Sequence, residues 1–165
     1  MPETNELVIN TGPLIALIAG TGDLSLLEVL YKRVLVPFEV CQEIEAGGSS
    51  GFGLSEFRRS SFLEKQSKFL NITPFLRSSL DLGEASVIQL AIDENIHTVC
   101  IDESVGRRIA RLNDLKLTGS IGVLIRAKQA GFDFSIRDAI NQMQSKGIYL
   151  SQKVVDFALK QIIEI

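Results

Sequence analysis

Short apolar runs alternate with amphipathic segments along the whole chain. The runs are too short for helices and are predicted as strands of one sheet. They are Leu7–Asn10, Val34–Val36 and Val99–Ile101. Lys116–Thr118 is predicted as a further, brief strand, and Leu70–Thr73 as a weaker fifth. Strands that are separated by helices predict a central parallel sheet of about five strands, covered on both faces. The expected fold class is therefore α/β, a three-layer α/β/α sandwich.

The segments between these runs carry apolar residues at three- and four-residue spacing, which predicts helices. These are expected from Gly12 to about Ile18, over Leu24–Leu30 after the cap Asp23, from Pro37 to about Ala46, within Leu54–Leu70, over Glu84–Asp93, over Glu103–Leu112, from Ile121 to about Gly131, after the capping box that begins at Ser135, and from Ser151 onward. The last helix is expected to bury the apolar residues Val154, Val155, Ala158, Leu159 and Ile162.

One stretch looks flexible, the sequence GGSSGFG at Gly47–Gly53. It has neither of the glycine spacings that cradle phosphates, so a plain connector is the favoured interpretation. A mobile flap over a site and a part of a dimer contact are the alternatives.

Length, net charge and aromatic content limit the number of domains and the classes of function that fit this chain. A length of 165 residues fits one domain, residues 1–165, with a sizeable core. The net charge of −3 excludes a broadly basic nucleic-acid binder but leaves room for a local basic patch. Trp is absent and there are only two Tyr residues, which argues against aromatic platforms for stacked bases.

The apolar N-terminal stretch could be mistaken for a targeting segment. The first basic residue is Lys32, and polar, Gly and Pro residues interrupt the stretch, so it is predicted as a strand and a helix. No run approaches the roughly 20 apolar residues that span a bilayer, so no membrane partner is expected. Cys41 and Cys100 are expected to be small buried hydrophobes in a reducing cytoplasm. A single histidine and the absence of closely paired cysteines argue against zinc.

Four polar residues occur where a strand ends or a helix begins, namely Asn10, Glu43, Glu84 and Asp102. Ligands sit at the carboxyl ends of parallel strands. Mg²⁺ and Mn²⁺ prefer oxygen ligands, and such ions neutralise a phosphodiester and activate water. The four residues therefore predict a divalent-metal site, provided that the strands carrying Asn10 and Asp102 are neighbours.

Each of these residues also has a simpler interpretation, and individually the simpler one is favoured. Glu84 fits the first turn of a helix, where a carboxylate is stabilised by the helix dipole. Glu43 fits a solvated helix face, Asp102 a cap of the following helix, and Asn10 a turn or cap. These interpretations leave unexplained why all four residues occupy the same kind of structural position.

Four longer runs carry a family resemblance, and together they cover nearly the whole chain. They are VINTGPLIAL, VLVPFEVCQEI, LGEASVIQLA and CIDESVGRRIARLNDLKLTGSIGVLIRAKQAG. In this order they resemble a PIN-domain protein of the toxin-like ribonuclease group related to VapC. The resemblance implies a sandwich with five parallel strands, a site for Mg²⁺ or Mn²⁺ that hydrolyses single-stranded RNA, a homodimer, and a small antitoxin protein as partner.

Carried over position by position, the resemblance assigns roles to residues of this chain. The catalytic acids fall on Glu43, Glu84 and Asp102. The metal ligands fall on Asn10, Glu43, Glu84 and Asp102, with Glu103 as an alternate for the last. The hydroxyl beside the first position falls on Thr11. Asn10 departs from the pattern, because an amide stands where the family has an acid, so metal affinity and water activation are expected to be lower.

Basic residues cluster after the last acid. Arg107, Arg108 and Arg111 lie on one predicted helix, with Arg107 and Arg111 on one face. Contact with substrate phosphates and a solvated face paired with acids are equally good interpretations. Arg58 and Arg59 are weaker candidates.

Two functions are consistent with these patterns. The first is a metal-dependent endoribonuclease, as the toxin of a toxin–antitoxin pair. The second is a PIN-fold module with a weakened metal site that binds nucleic acid or protein. Another doubly wound enzyme, such as a phosphatase or a nucleotide-binding protein, is least favoured because the chain lacks D-x-D and glycine-rich phosphate motifs.

Overall fold

The computed structural model describes residues 5–47 and 51–164, and for residues 163 and 164 it describes the backbone alone. Its strands are β1 (Glu6–Ile9), β2 (Arg33–Val36), β3 (Leu63–Lys65), β4 (Thr98–Cys100) and β5 (Lys116–Thr118). They form one sheet in the order β3-β2-β1-β4-β5, and every adjacent pair is parallel. The prediction of a parallel sheet of about five strands is confirmed.

Helices cover both faces of this sheet. They are α1 (Thr11–Thr21), α2 (Ser25–Leu30), α3 (Phe38–Ala46), α4 (Leu54–Arg59), α5 (Pro74–Ser79), α6 (Leu82–Asp93), α7 (Ser104–Leu112), α8 (Ser120–Gln129), α9 (Ile136–Ser145) and α10 (Gln152–Glu164). Helices α1, α2, α8, α9 and α10 pack together on one face, and α3, α5, α6 and α7 on the other. The three-layer α/β/α arrangement is therefore confirmed.

The order of the strands places a switch point between β1 and β4. The chain adds β2 and β3 on one side of β1 and then returns to add β4 and β5 on the other. Ile9 is aligned with Cys100 across this boundary, and the Asn10 N–H donates to the Cys100 carbonyl over 3.1 Å. Asn10 therefore leaves the sheet at the crevice where ligands bind in open α/β folds.

Helix α1 is longer than its apolar pattern predicts. It passes through Gly20 and ends at Gly22, which has a left-handed φ of 92°. Gly20 is required by packing, because a Cβ there would lie 2.9 Å from the Cε atom of Met143 in α9. The prediction that α1 ends near Ile18 was therefore wrong, since the glycine that stops it is Gly22.

The predicted strand at Leu70–Thr73 was wrong, and the fifth strand is β3 instead. Leu63 pairs with Val34 of the neighbouring strand, although the other two residues of β3 are charged. The Leu70 N–H instead donates to a carboxylate oxygen of Glu39 over 2.8 Å. Thr73 is the N-cap of α5, a helix that the sequence pattern did not predict.

Helix α10 is less buried than predicted. Ala158 is buried against its neighbours, but Val154, expected to be buried, is exposed. Of the two cysteines, which are both free, Cys100 is buried as expected, whereas Cys41 is only half-buried. Within the described residues, no helix has the length and apolar character needed to cross a membrane.

The glycine-rich connector is described only at its two ends, because residues 48–50 lie outside the described residues. Gly53 has a left-handed φ of 82° and precedes α4. A Cβ at this position would lie 3.0 Å from the Cδ1 atom of Ile15 in α1. The end of the connector is therefore packed against α1.

Candidate functional site

Three side-chain oxygens converge around Gly83 in the first turn of α6. A Cβ at this glycine would lie 2.7 Å from Glu43 Oε2, 3.3 Å from Asn10 Oδ1 and 3.6 Å from Asp81 Oδ1. The three oxygens come from the end of β1, from α3 and from the N-cap of α6. A glycine is needed here because any larger residue would push at least one of these oxygens away.

Asn10 occupies the N-cap position of α1 but does not use its side chain as a cap. The residue is only 8% exposed, and its Oδ1 atom is buried without a hydrogen-bond partner in the described structure. Buried polar atoms in folded proteins almost always have a partner. The capping interpretation of Asn10 therefore does not account for its side chain, whereas an absent ligand would.

Glu84 is a second buried group with an unpaired oxygen. It is 6% exposed, and its Oε2 atom has no hydrogen-bond partner among the described residues. The carboxylate lies against Gly106 in α7, where a Cβ would overlap Oε2. Burial, the hydrogen bond with Asp81 and the charges of Asp81, Glu103 and Glu43 raise the pKa of Glu84 to about 8. This carboxylate therefore lies among like charges.

Glu43 shows the same crowding. Partial burial of the carboxylate, and then the charge of Asp81, raises the pKa of Glu43, although the residue as a whole is exposed. The nearby Thr11 hydroxyl acts in the opposite direction. The Thr11 Oγ1 atom is buried and makes no well-aligned hydrogen bond in the described structure. Thr11, Glu43 and Asn10 thus belong to one cluster of oxygens.

Asp102 lies in a different environment, on the β5 side of the switch point. It accepts hydrogen bonds from the Ser120 N–H over 2.8 Å and from the Ser120 hydroxyl over 2.9 Å. Ser120 is the first residue of α8, so Asp102 caps α8 rather than the helix that follows it in sequence. The N-cap of α7 is Glu103, which makes no side-chain cap bond.

The predicted phosphate-binding arginines are not equivalent. The Nη1 atom of Arg107 donates to the carbonyls of Ile101 and Thr118 over 2.7 and 3.3 Å. A Cβ at Gly119 would lie 3.0 Å from Nη1 and 2.6 Å from Asp102 Oδ1, so the guanidinium lies beside Asp102. Arg107 is thus held at the edge of the sheet.

The other arginines point to solvent or to a partner. Arg108 and Arg111 are exposed on α7. Arg58, a weaker candidate, forms an ion pair with Glu45 over 2.6 Å, and Arg59 is exposed.

A cleft of about 710 Å³ opens beside Asp102 and Arg107. It runs between β5, the start of α8 and the segment that leads into α10, and its wall includes Tyr149, Val154 and Phe157. Tyr149 is 86% exposed and Phe157 is 55% exposed. Composition argued against aromatic stacking platforms, yet two of the few aromatic residues line this cleft.

The residues gathered around Gly83 fit a hard divalent cation in kind, because all their donor atoms are oxygens. Within the described part of the chain, buried oxygens of Asn10, Thr11 and Glu84 lack hydrogen-bond partners, as expected where a ligand completes the set. Within residues 5–47 and 51–164, no three His, Cys, Asp or Glu side chains are grouped tightly enough to hold a metal ion. A cation here would therefore need the Asn10 amide together with the carboxylates, or small shifts of the carboxylates toward it.

Sequence reasoning missed two residues at this edge. Asp81 forms the N-cap of α6 by accepting the Glu84 N–H over 2.9 Å. The signal was an acid three residues before Glu84, which is the spacing of a capping pair. Ser120, the partner of Asp102, could not have been found, because 18 residues separate it from Asp102 in the sequence.

Residues 6–164 match the family model of a PIN domain. PIN domains have a nuclease-type fold, generally use divalent metal ions and typically bind nucleic acid. No curated protein matches the sequence.

Proposed function

We propose, from the premise that this chain belongs to the PIN-domain family, that it is a metal-dependent endoribonuclease acting on single-stranded RNA. The observation that carries the proposal is the convergence of Asn10, Glu43 and Asp81 oxygens at Gly83, next to the buried carboxylate of Glu84. Oxygen donors that lack partners and repel one another are suited to a cation. The cleft beside Asp102 offers space for an RNA strand next to them.

The first group of residues is assigned to binding of the cation. Asn10, Glu43 and Glu84 would hold the cation, either Mg²⁺ or Mn²⁺, with Asp102 and Glu103 as further acids of the site. When bound, such a cation neutralises phosphodiester charge and lowers the pKa of a water molecule. Thr11 contributes a hydroxyl beside Glu43.

Basic residues are assigned to binding of the substrate phosphates. Arg107, fixed beside Asp102 by two backbone carbonyls, orients a phosphate at the mouth of the cleft. Arg108 and Arg111 are exposed on the same helix and extend that contact to neighbouring phosphates.

The wider setting is part of the same proposal. The chain acts as a single PIN-like domain of the VapC-like group, a toxin that a small antitoxin protein restrains. The exposed apolar residues Val154 and Phe157 on α10 suit a homodimer contact. The two free cysteines suit a reducing cytoplasm.

A second function is favoured by one observation, the amide of Asn10. An amide can bind a cation through its oxygen but adds no negative charge, so the site is weaker than one with a carboxylate at that position. In this alternative the fold binds RNA or protein without turnover.

The test is cleavage of a fluorescent single-stranded RNA by the purified chain with Mg²⁺, with Mn²⁺ and with EDTA. We expect cleavage only with a divalent cation, and its loss in Glu84→Gln and in Asp102→Asn. Cleavage in EDTA, or cleavage that both variants retain, rules out the endoribonuclease. RNA binding without cleavage in any metal supports the binding module.

A further inference from the structure

The acidic cluster contains a carboxylate that the four-position pattern does not include. Asp81 lies three residues before Glu84, and its Oδ1 atom is one of the three oxygens that surround Gly83. Its charge acts on both Glu43 and Glu84, which places it near both carboxylates. Asp81 therefore belongs to the cluster in space, although it lies outside the pattern.

The buried amide of Asn10 gives an independent indication that a ligand belongs at this point. Its Oδ1 atom faces the position above Gly83 where Glu43 and Asp81 also meet. The residue is more than nine-tenths buried, and Oδ1 has no partner within the described chain. A cation between the amide and the two carboxylates would satisfy all three groups.

Asp81 can serve both as a cap and as a ligand. Its Oδ1 atom accepts one hydrogen bond, from the Glu84 N–H. An ionised carboxylate has two oxygens and about four acceptor positions, so the cap leaves capacity for a metal. The cap also fixes the side chain, because it ties the carboxylate to the first turn of α6.

The balance of charge explains why Asp81 matters in this chain. Asn10 contributes no negative charge to the cation, whereas an acid at that position would. None of the three ion pairs in the described structure involves Glu43, Asp81 or Glu84. Asp102, by contrast, is hydrogen-bonded to Ser120 and lies beside Arg107.

We propose that Asp81 is a metal ligand that restores the negative charge missing at Asn10. The cation is held by Asn10, Glu43, Asp81 and Glu84, and Asp102 contributes less to its affinity. This inference rests on the proposed metal site, but it does not require that the bound metal cleaves RNA.

The test is the affinity of the full chain for Mn²⁺, measured by isothermal titration calorimetry. Asp81→Asn is the informative change, because Asn is as good an N-cap as Asp and the fold is preserved. We expect the affinity to fall by at least about tenfold, the size of effect seen when supporting groups of metal sites are removed.

Asp23→Asn is the matched control. Asp23 likewise accepts a backbone N–H near the start of a helix, that of Ser25 over 3.0 Å. Asp23 follows the C-terminal end of α1, whereas Asn10 is the N-cap of that helix, so Asp23 lies away from the cluster. Asp23→Asn removes the same charge and should leave Mn²⁺ affinity unchanged.

A charge exchange sharpens the test. The double variant Asn10→Asp with Asp81→Asn moves the carboxylate back to the first position and should recover Mn²⁺ affinity to within a few-fold of the original chain. Unchanged affinity in Asp81→Asn would overturn the proposal, and so would a double variant that stays as weak as Asp81→Asn.

RNA cleavage, measured on the same samples, separates this inference from the proposed function. Asp81-dependent Mn²⁺ binding without any cleavage would support the ligand and refute the ribonuclease. Mn²⁺-dependent cleavage and Mn²⁺ affinity that are both insensitive to Asp81→Asn would support the ribonuclease and refute the ligand.

Discussion

The acidic side chains at the carboxyl ends of the strands have two different environments. The crowded half contains Asn10, Glu43, Asp81 and Glu84, and the capped half contains Asp102, Arg107 and Ser120. In the crowded half, burial and neighbouring carboxylates raise the pKa of Glu84 to about 8, and two buried oxygens have no hydrogen-bond partner among the described residues. In the capped half, Asp102 accepts two hydrogen bonds from Ser120. The difference fits the cation site proposed for the crowded half, while the capped half holds a carboxylate in a fixed position.

The largest effects should come from removing one acid of each half. Glu84→Gln and Asp102→Asn should each lower RNA cleavage by about 10²–10³-fold or more, because each removes a carboxylate from the site whose cation would neutralise the anionic transition state. Only Glu84→Gln should also weaken Mn²⁺ binding strongly, as measured by calorimetry. Glu94→Gln, an exposed residue just after α6, is the control for both assays. Equal losses of affinity in the two variants would refute the division into halves.

The next effect tests the space that the crowded half requires. Gly83→Ala places a Cβ 2.7 Å from Glu43 Oε2, so the carboxylate must move and Mn²⁺ affinity should fall by about tenfold. Gly12→Ala is the matched control, because nothing lies within 4 Å of its Cβ. Both glycines lie in helices, so neither change should lower the melting temperature much. If Gly83→Ala binds Mn²⁺ as well as Gly12→Ala does, the oxygens around Gly83 do not form the site.

A smaller effect concerns the pH dependence of stability without metal. Glu84 in the unfolded chain ionises near its ordinary pKa of 4.5, whereas in the folded chain it keeps its proton until about pH 8. The folded state therefore binds more protons between these values, and the free energy of unfolding should fall as pH rises from 4.5 to 8, by on the order of 1–2 kcal/mol. The raised pKa of Glu43 acts in the same direction.

Urea denaturation in EDTA at several pH values measures this loss. Glu84→Gln should reduce the dependence of the free energy of unfolding on pH and should be more stable than the original chain at pH 8. Glu94→Gln should keep the pH dependence of the original chain. A stability that rises between pH 5 and pH 8 in the original chain would contradict the crowding of these acids.

The smallest effect is expected in the capped half. Ser120→Ala removes the hydroxyl bond to Asp102 but keeps the bond from the backbone N–H. Stability should fall by about 0.5–1.5 kcal/mol, the usual contribution of one hydrogen bond. Mn²⁺ affinity should change by no more than a few-fold. A tenfold loss of affinity would place Asp102 among the principal metal ligands.

Most of the fold can be predicted from the sequence because the central strands are continuous apolar runs. Leu7, Val8 and Ile9 are completely buried, as a strand covered on both faces requires. The edge strand β3 was not predicted because it is three residues long and two of the three are charged. The apolar residues that follow it fill the core without joining the sheet, as buried Ile72 shows.

The candidate site was predictable only in part. The positions of Asn10, Glu43 and Glu84 follow from strand ends and helix starts, and the structure brings these three near one another. The cap that Asp102 provides to α8 could not be predicted, because its partner Ser120 lies 18 residues away in the sequence. Asp81 was missed because a helix cap and a metal ligand have the same sequence signature.

The two edges of the sheet have a consequence for how copies of the chain meet. Both edge strands are only three residues long, and each carries a lysine, Lys65 in β3 and Lys116 in β5. At the start of β2, Arg33 bridges Glu6 of β1 to Glu64 of the edge strand β3. Short, charged edges are a common protection against strand addition and aggregation. Self-association of this protein should therefore proceed through helical surfaces, and concentrated solutions should resist the growth of intermolecular sheets.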